Sequence, residues 1–557
     1  MPDESRKGVL VPAADTDAAY VKNAYILTGT EKDVASDPHE YNHNNKDDED
    51  DDDEKDFHNQ HSNERPDIFH STCSEIICVL MLTMAPVTAT VSVGGLQIGL
   101  EKIGSTFDVD SATLSWALSS FALASGSFFL FFGGIADIFG RRVIVISSFI
   151  FYAIFSLIAG FMKNFVAFCI LRALQGMASA ASIPAAVGIL GAAYKPGPRK
   201  NKVMATFAAG APIGFIIGII SGGICTQFLS FRAVLWFYAI LWSIFSIIAW
   251  FVIPQTKNDV PLTKDHVLKG LHNIDYGGTF LAIAGFTLFV FALSQAEAAP
   301  QQWKTPYIIA LLIVGIVLIG LFMVYEKYVP SNPLMPMSLW TTSWQFPLCM
   351  LIMAANWMNF TGTLSYYGTL YFQVIREASP ILTTAYFIPQ AIAGMTVNFI
   401  VALTLHRIPG KILMLIATVA FLASALLWAF IPIDIIYWAI PFPALILVVV
   451  GADVGYNVAN MMTLTSVPKS MQSSAAGVFN TILQLSTAIG LAASSAVASG
   501  VSSTFDEPLT KPQILKSYHA AFYFAVAVAG CSVIACLFLK VGTYGSGPKK
   551  SEEKNTA

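Results

Sequence analysis

Charged residues are scarce in this chain of 557 residues. Asp, Glu, Lys and Arg make up 12% of it, whereas a soluble domain carries about 25%. Hydrophobic residues account for 55%, and the mean hydropathy is +0.60. Because so few polar groups cannot shield that much apolar surface from water, the composition excludes a soluble globular protein. No basic stripe suggests a nucleic-acid partner.

Cysteine patterns and catalytic motifs are missing as well. The seven cysteines include no CxxC pair and have no zinc-ligand spacing, so we expect neither a metal site nor a disulfide framework. The sequence contains no nucleotide-binding loop and no recognisable Ser-His-Asp arrangement. We therefore expect no cofactor, no enzymatic activity and no ATP-driven pump.

The N-terminus lacks the apolar core of a signal peptide. Residues 1–70 are mostly polar and contain eight consecutive acidic residues from Asp47 to Glu54. This composition predicts a disordered tail, and the first membrane helix must then serve as the targeting signal.

Long apolar segments occupy most of the remaining chain. A membrane-spanning helix needs about 20 mostly apolar residues, and its backbone groups must be paired within the helix. The sequence therefore predicts an all-α polytopic membrane protein with fourteen spans. The predicted spans are residues 75–100, 112–133, 142–162, 164–192, 202–228, 233–254, 275–295, 305–327, 345–372, 381–405, 411–432, 438–464, 473–500 and 517–541.

Basic residues are distributed unequally between the connections. When the connections between spans are numbered in chain order, the even-numbered ones hold 13 Lys and Arg residues and the odd-numbered ones hold 7. The positive-inside rule then predicts that the even connections and both termini are cytosolic. Residues 1–70 and 542–557 would be cytosolic tails, and residues 255–274 a cytosolic linker between two halves. We expect the plasma membrane, with the vacuolar membrane as an alternative.

A glycine- and arginine-rich segment joins predicted spans two and three. Its glycines allow a tight turn and close helix approach, its aspartate can cap a helix or pair with a basic side chain, and its arginines favour the cytosolic side. An ordinary basic turn is the alternative interpretation. The residues concerned are Gly133, Asp137, Gly140, Arg141 and Arg142.

Two further patterns lie inside predicted spans four and five. Arg172 shares one helix face with Gln175, and a charge at that depth costs several kcal/mol unless it faces a cavity or a partner. Bonding to backbone carbonyls, or snorkelling to the interface, is the alternative. Span five repeats glycine every fourth residue, which predicts close helix packing with a kink at the proline. Its residues are Gly210, Pro212, Gly214, Gly218 and Gly222.

These three patterns, in this order, resemble the signature sequences of the major facilitator superfamily. The fourteen spans, and the sequence Asp275-Tyr276-Gly277-Gly278 at the start of span seven, resemble its fourteen-span drug:proton antiporter family. Ile138 replaces a basic residue of the usual signature, and Ala211 separates a Gly-Pro pair that is normally in tandem. The resemblance covers about residues 75–541 and is silent on substrate.

The resemblance implies two six-helix bundles around a site at the membrane midplane. The bundles would be residues 75–254 and 345–541, with two extra helices at 275–327, and spans 1–6 would correspond to spans 9–14. The first and fourth spans of each half would line the cavity. Polar stripes in spans one, four, nine and twelve, with span thirteen added, fit this expectation, although such stripes also hold helices together. The candidate cavity residues are Gln97, Gln175, Asn356, Asn359, Tyr366, Asn457, Asn460 and Gln484.

Asp453 is the one acidic residue placed deep in a predicted span. Removal from water favours a protonated carboxyl, so we expect Asp453 to carry the coupling proton or to bind a cationic substrate. Arg172, in the corresponding span of the first half, would face it and tune its charge. The alternative is a buried ion pair that only joins two helices.

Together these features predict a monomeric secondary transporter in the lipid bilayer. We expect proton-coupled export of small toxic compounds or secondary metabolites, so the expected partners are a small-molecule substrate and protons. One alternative is a facilitator or importer of a small polar solute or ion, such as ammonium or borate. The other is a non-transporting membrane sensor, against which the short connections argue.

Overall fold

A computed structural model describes residues 65–542 except 67, 195–196, 256–270, 273, 297–298, 300, 331–332, 342, 406, 466–471 and 507. Most of the predicted N-terminal tail, most of the 255–274 linker and nearly all of the 542–557 tail lie outside the described residues. The secondary structure of the described residues is entirely helical.

Thirteen single helices among the described residues are long and apolar enough to cross a membrane. A fourteenth crossing, α9, spans 345–375 and is described below. The thirteen are α1 Thr72–Ile98, α2 Trp116–Phe139, α3 Arg141–Ala159, α4 Phe165–Ala193, α5 Pro198–Phe228, α6 Phe231–Val252, α7 Tyr276–Gln295, α8 Pro306–Tyr328, α10 Pro380–Thr404, α11 Gly410–Ala429, α12 Pro441–Thr465, α13 Gln472–Ser502 and α14 Lys511–Leu537.

Helix α9 is helical throughout but irregular. Its α-helical parts, Gln345–Trp357 and Ser365–Leu370, alternate with π-helical parts at Met358–Leu364 and Tyr371–Ile375. Each π segment shifts the register of the side chains that follow it, and such segments are frequent at functional sites. The fourteen predicted crossings are thus present.

Several helices begin at a polar cap next to the apolar segment. The Ser71, Asn164 and Ser230 side chains accept hydrogen bonds from backbone N–H groups in the first turns of α1, α4 and α6. Asp275 does the same for α7, accepting from the Gly278 N–H at 2.7 Å. Because the first N–H groups of a helix have no partner within it, these caps define where the helices start.

The helices pack into two groups that meet along two seams. Within the first six helices, α1 packs on α5, α2 and α3 on α4, and α3 on α6. Within the last six, α9 packs on α13, α10 and α11 on α12, and α11 and α13 on α14. The groups meet where α2 contacts α13 and where α5 contacts α10. Helices α7 and α8 pack on each other, and α7 lies against both α2 and α13.

The four glycines of α5 that recur every fourth residue face α1. A Cβ atom added to Gly218 would lie 2.7 Å from the Val91 carbonyl oxygen, and one added to Gly210 would lie 2.7 Å from the Thr83 carbonyl oxygen. Gly214 and Gly222 are equally tight against α1. The four glycines thus let α1 and α5 approach closely, and α5 is continuous through Pro212.

The signature segment differs from its prediction. Helix α2 continues to Phe139, so the expected loop is the last two turns of α2 followed by Gly140 alone. Nothing in these residues, such as a proline, ends the helix where the apolar segment stops. Gly140 has a φ of 90°, a conformation that requires glycine, and the tight turn is therefore confirmed there.

The other residues of that segment have different environments. A Cβ atom added to Gly133 would meet no atom within 4 Å, so the close approach expected there is absent, and the same holds for its neighbour Gly134. The backbone of Asp137 lies within α2, whereas the cap of α3 is Gly140, so Asp137 does not begin a helix. The Asp137 side chain lies outside the described part of the chain.

We call the membrane face at Gly140 the signature face and the other membrane face the opposite face. Since successive helices cross in alternate directions, α1, α5, α9 and α13 begin at the signature face. Helices α2, α4, α10 and α12 begin at the opposite face.

Candidate functional site

Arg172 lies in a buried polar network inside the first half. Its side chain is fully buried, and it donates from Nε to the Ala117 carbonyl at 3.1 Å and from Nη1 to the Ser92 hydroxyl at 2.5 Å. Nη1 also donates to the Gln175 side-chain oxygen at 2.7 Å, and the guanidinium lies 4.7 Å from the centre of the Phe121 ring. Gln175 is thus a partner of Arg172, as their shared helix face predicts.

Neutral groups alone surround this cation. No carboxylate among the described residues forms an ion pair with Arg172, and its Nη2 atom is buried without a hydrogen-bond partner. Gln175 extends the network by donating to the Ser156 hydroxyl at 2.8 Å. The arrangement joins α1, α2, α3 and α4 around one positive charge.

Asp453 lies near the middle of α12 and is half-buried. The Asn398 side chain of α10 lies beside its carboxylate and donates from its amide nitrogen to the Gly394 carbonyl at 3.0 Å. Asn457 donates to the Asn398 side-chain oxygen at 2.8 Å and to the Asp453 backbone oxygen at 2.8 Å. The carboxylate therefore has one amide side chain beside it and, among the described residues, no ion pair.

The structure does not bring Arg172 and Asp453 together. Arg172 lies seven residues from the opposite-face end of α4, whereas Asp453 lies twelve residues from the same end of α12. At 1.5 Å per residue their depths differ by roughly 8 Å. The partners of Arg172 all belong to the first half and the amide partners of Asp453 to the second, so the expected direct pairing is absent from this conformation.

Two predicted cavity residues instead bridge the halves near the opposite face. Gln97 of α1 donates to the Thr369 hydroxyl at 2.8 Å and to the Ser365 carbonyl at 3.2 Å. The Tyr366 hydroxyl of α9 donates to the Ser111 carbonyl at 2.5 Å. These contacts close the space between the halves at that face.

The remaining candidates are dispersed. Gln484 lies on the α2–α13 seam and donates to the Ser125 hydroxyl at 3.4 Å. The Asn356 oxygen accepts from the Ser532 hydroxyl of α14 at 2.8 Å, so this side chain joins two helices of one half. Asn460 is half-buried on α12.

Asn359 differs from the other polar residues of α9. It lies in the first π segment, it is fully buried, and neither its amide nitrogen nor its amide oxygen has a hydrogen-bond partner. A buried amide without partners is costly, so Asn359 is the predicted cavity residue best placed to accept a polar group of a substrate or a water molecule.

Sequence reasoning missed two buried acidic residues and one amide. Glu75 and Glu326 are 4% and 3% exposed, although both lie near span ends. Glu75 binds the Arg199 guanidinium and accepts from the Tyr194 hydroxyl at 2.8 Å, whereas Glu326 lies beside Asp275. Asn398, the partner of Asp453, was recognisable only as an isolated amide in the apolar sequence of α10.

An apolar cavity of about 140 Å³ lies beside the α2–α13 seam. Residues of α2, α7, α8, α13 and the segment 334–340 surround it. Neither Arg172 nor Asp453 borders this cavity. The predicted cavity residues do not line it, although one of them lies on the same α2–α13 seam.

Comparison with known proteins agrees with the helix arrangement. The model of the Major Facilitator Superfamily matches residues 80–491. The chain belongs to the major facilitator superfamily. This transporter is therefore a multi-pass membrane protein of that superfamily, as the signature segment, Arg172 and the glycines of α5 indicate.

Two curated fungal relatives match this transporter over most of both chains. The low affinity ammonium transporter of Saccharomyces cerevisiae is 32% identical over 497 residues, covering 88% of this chain and 93% of that protein. The efflux pump terJ of Aspergillus terreus is 30% identical over 481 residues, covering 85% and 89%.

A solved structure shares the fold. The POT family transporter PepTSo has a TM-score of 0.60 and 13% identity, with 83% of this chain and 97% of that chain covered. At that identity the likeness supports the helix arrangement and nothing about substrate.

Proposed function

We propose that this transporter exports small, mainly apolar or weakly cationic compounds in exchange for protons. Asp453 carries the proton, and the substrate occupies the space between the halves near Asn359. The similarity to the efflux pump terJ supports export. The predominance of neutral amides and hydroxyls over charged groups among the cavity candidates supports an apolar or weakly charged substrate.

The environment of Asp453 carries this proposal. A carboxylate in mid-membrane is costly unless it is paired or protonated, and Asp453 has an amide neighbour but no ion pair among the described residues. It is half-buried, whereas Arg172 is fully buried, so Asp453 is the more accessible of the two groups. A group with these two properties can take up a proton on one side of the membrane and release it on the other.

The distribution of basic residues supports an orientation. With 13 Lys and Arg residues on even connections against 7 on odd ones, the signature face would be cytosolic, together with both termini. The opposite face, where Gln97 and Tyr366 bridge the halves, would then be extracytosolic. We further propose a monomer in the plasma membrane, with the vacuolar membrane as the alternative.

Export is tested by expressing the chain in cells that lack their own exporters. We expect lower accumulation of ethidium and rhodamine 6G, two apolar cations, and restored accumulation when a protonophore collapses the proton gradient. Unchanged accumulation of both dyes would refute export of lipophilic cations, and export that resists the protonophore would refute proton coupling.

The role of Asp453 is tested in liposomes with Asp453→Asn. Proton-driven dye uptake should fall at least tenfold, whereas dye-for-dye exchange, which needs no net proton movement, should persist. Asp434→Asn is the matched control because Asp434 is almost fully exposed in the connection after α11. Full proton-driven uptake by Asp453→Asn would overturn the assignment.

Ammonium transport is the second candidate function, because the relative at 32% identity is named a low affinity ammonium transporter. Uptake of radiolabelled methylammonium by the same cells distinguishes the two. Saturable methylammonium uptake without dye export would favour this candidate over the exporter.

A further inference from the structure

Two glutamines form reciprocal contacts between the corresponding helices α1 and α9. The amide of Gln97, at the end of α1, bonds to Ser365 and Thr369 of α9, as described above. Gln373, near the end of α9, bonds to the backbone of the first half. Each half thus contributes one carboxamide that binds the other half.

Gln373 bridges a break in the first half. Helix α1 ends at Ile98, and a short helix, Leu100–Phe107, begins after Gly99. The Gln373 nitrogen donates to the Ile98 carbonyl at 2.7 Å, and its oxygen accepts from the Glu101 N–H at 3.1 Å. A carboxamide suits this position because it carries a donor and an acceptor side by side.

Both glutamines are shielded from water in this conformation. Gln97 is 2% exposed and Gln373 is 6% exposed, and Thr369 is fully buried. Hydrogen bonds that are shielded from water are stronger than exposed ones. Because all the groups are neutral, water can replace their partners when the halves separate, at a small net cost for each bond.

Other contacts between the halves are concentrated at the same face. Tyr366 bonds to Ser111, and the Thr384 hydroxyl of α10 donates to the Ile219 carbonyl of α5 at 3.0 Å. Nearer mid-membrane, the Gln484 side chain also bonds across the halves, to Ser125. The hydrogen bonds that resist separation therefore lie mainly at the opposite face.

We propose that Gln97 and Gln373 together form a reciprocal latch that keeps the opposite face closed and sets how often it opens. The second π segment, Tyr371–Ile375, carries Gln373, and Gln97 binds the α-helical part that precedes it. The latch concerns the opening of one face, so it does not depend on which compound crosses the membrane or on Asp453.

The latch is tested by measuring the distance between the halves at the opposite face. Spin labels at Ser105→Cys, in the short helix of the first half, and Ser503→Cys, after α13, report that distance in the full-length protein in liposomes. Ser105 and Ser503 are exposed, and the exposed native residues Cys73 and Cys531 are first replaced by serine. Opening appears as a second, longer distance.

We expect Gln97→Met and Gln373→Met each to raise the ratio of open to closed molecules about fivefold, and the double variant to raise it more than either single variant. Methionine keeps the length of the side chain without its hydrogen bonds. Gln373→Asn, which keeps the amide but is too short to bridge Ile98 and Glu101, should behave like Gln373→Met and guards against a methionine variant that fails to fold.

Gln513→Met is the matched control. Gln513 lies at the same face and accepts a hydrogen bond from the Thr510 N–H at 2.8 Å, but within the second half only. Its distance distribution should equal that of the unmodified protein. Unchanged distributions in both single variants and in the double variant would overturn the latch, as would equal opening in Gln513→Met.

Discussion

The two halves build the same helix pair in different ways. In the first half, α1 packs against a regular α5 through four glycines spaced four residues apart. In the second, α9 packs on α13 where α9 is π-helical, and a Cβ atom added to Gly490 would lie 2.6 Å from the Met358 carbonyl oxygen. In the first half, regularly spaced glycines let the two helices approach closely. In the second half, a glycine contact is combined with an irregular backbone.

The charged residues inside the two halves also differ, in their burial and in their partners. Arg172 is fully buried and held by α1, α2 and its own helix, whereas Asp453 is half-buried and has one amide side chain beside its carboxylate. A cation held at several points is suited to fix helix positions. A partly accessible carboxyl is suited to change its protonation state, which is the role proposed for Asp453.

The strongest test of this contrast is Arg172→Met. The change leaves the Ser92, Ala117 and Gln175 groups without their partner, and each buried unpaired group costs about 1–3 kcal/mol. We therefore expect the stability of the protein in detergent to fall by about 3 kcal/mol or more, measured by thermal unfolding.

Arg232→Met provides the comparison for that measurement. Arg232 is only half-buried and makes one backbone hydrogen bond, to Met162 at 3.0 Å, so its loss should cost about 1 kcal/mol. Equal unfolding temperatures for the two variants would show that the Arg172 network does not hold the first half together.

The glycine contact is tested by Gly218→Val in α5. The added side chain would overlap the Val91 carbonyl and force α1 and α5 apart, which should destabilise the protein by about 1–3 kcal/mol. Thermal unfolding measures this change. A variant as stable as the unmodified protein would mean that α1 and α5 can separate freely, and the contrast between the halves would fail.

Asn398→Leu tests the surroundings of Asp453 in the second half. We expect it to lower the stability of the protein less than the changes described above. Leucine removes the amide neighbour of the Asp453 carboxylate, and a carboxylate in mid-membrane is costly without polar neighbours, so the change should impair proton release. We expect proton-driven dye uptake to fall about threefold to tenfold, with dye-for-dye exchange reduced less, in the liposome measurement described above. An equal loss of both activities would point to a packing role for Asn398.

The smallest effect is expected for Gly134→Ala in the signature segment. An added Cβ would meet no atom within 4 Å, and alanine is favoured over glycine inside a helix by about 1 kcal/mol. The unfolding temperature should therefore stay constant or rise slightly. A clear fall would show that Gly134 is needed for contact in another conformation.

Residues whose roles depend on their own helix were predicted best. The spacing of Gly210, Gly214, Gly218 and Gly222 identified one packing face, and the spacing of Arg172 and Gln175 placed them in contact. Both inferences follow from the periodicity of a helix, which the sequence displays directly.

Residues whose roles depend on two helices were predicted less well. Gln97 and Tyr366 were expected in the cavity and instead bridge the halves, and Asn356 bonds to Ser532 of α14. The π segment at Met358–Leu364 changes the register of α9. Residues beyond it therefore no longer share the helix face that regular α-helical spacing predicts.

The sequence by itself determined the number of crossings, the superfamily and the α5 packing face, because apolar length, short motifs and residue spacing are local properties. Only the tertiary structure decided that Arg172 and Asp453 lie at different depths, that Asn398 faces Asp453, and that Gln97 and Gln373 close one face. These relations join residues as much as 275 positions apart, and they depend on how far each helix slides and turns against its neighbours.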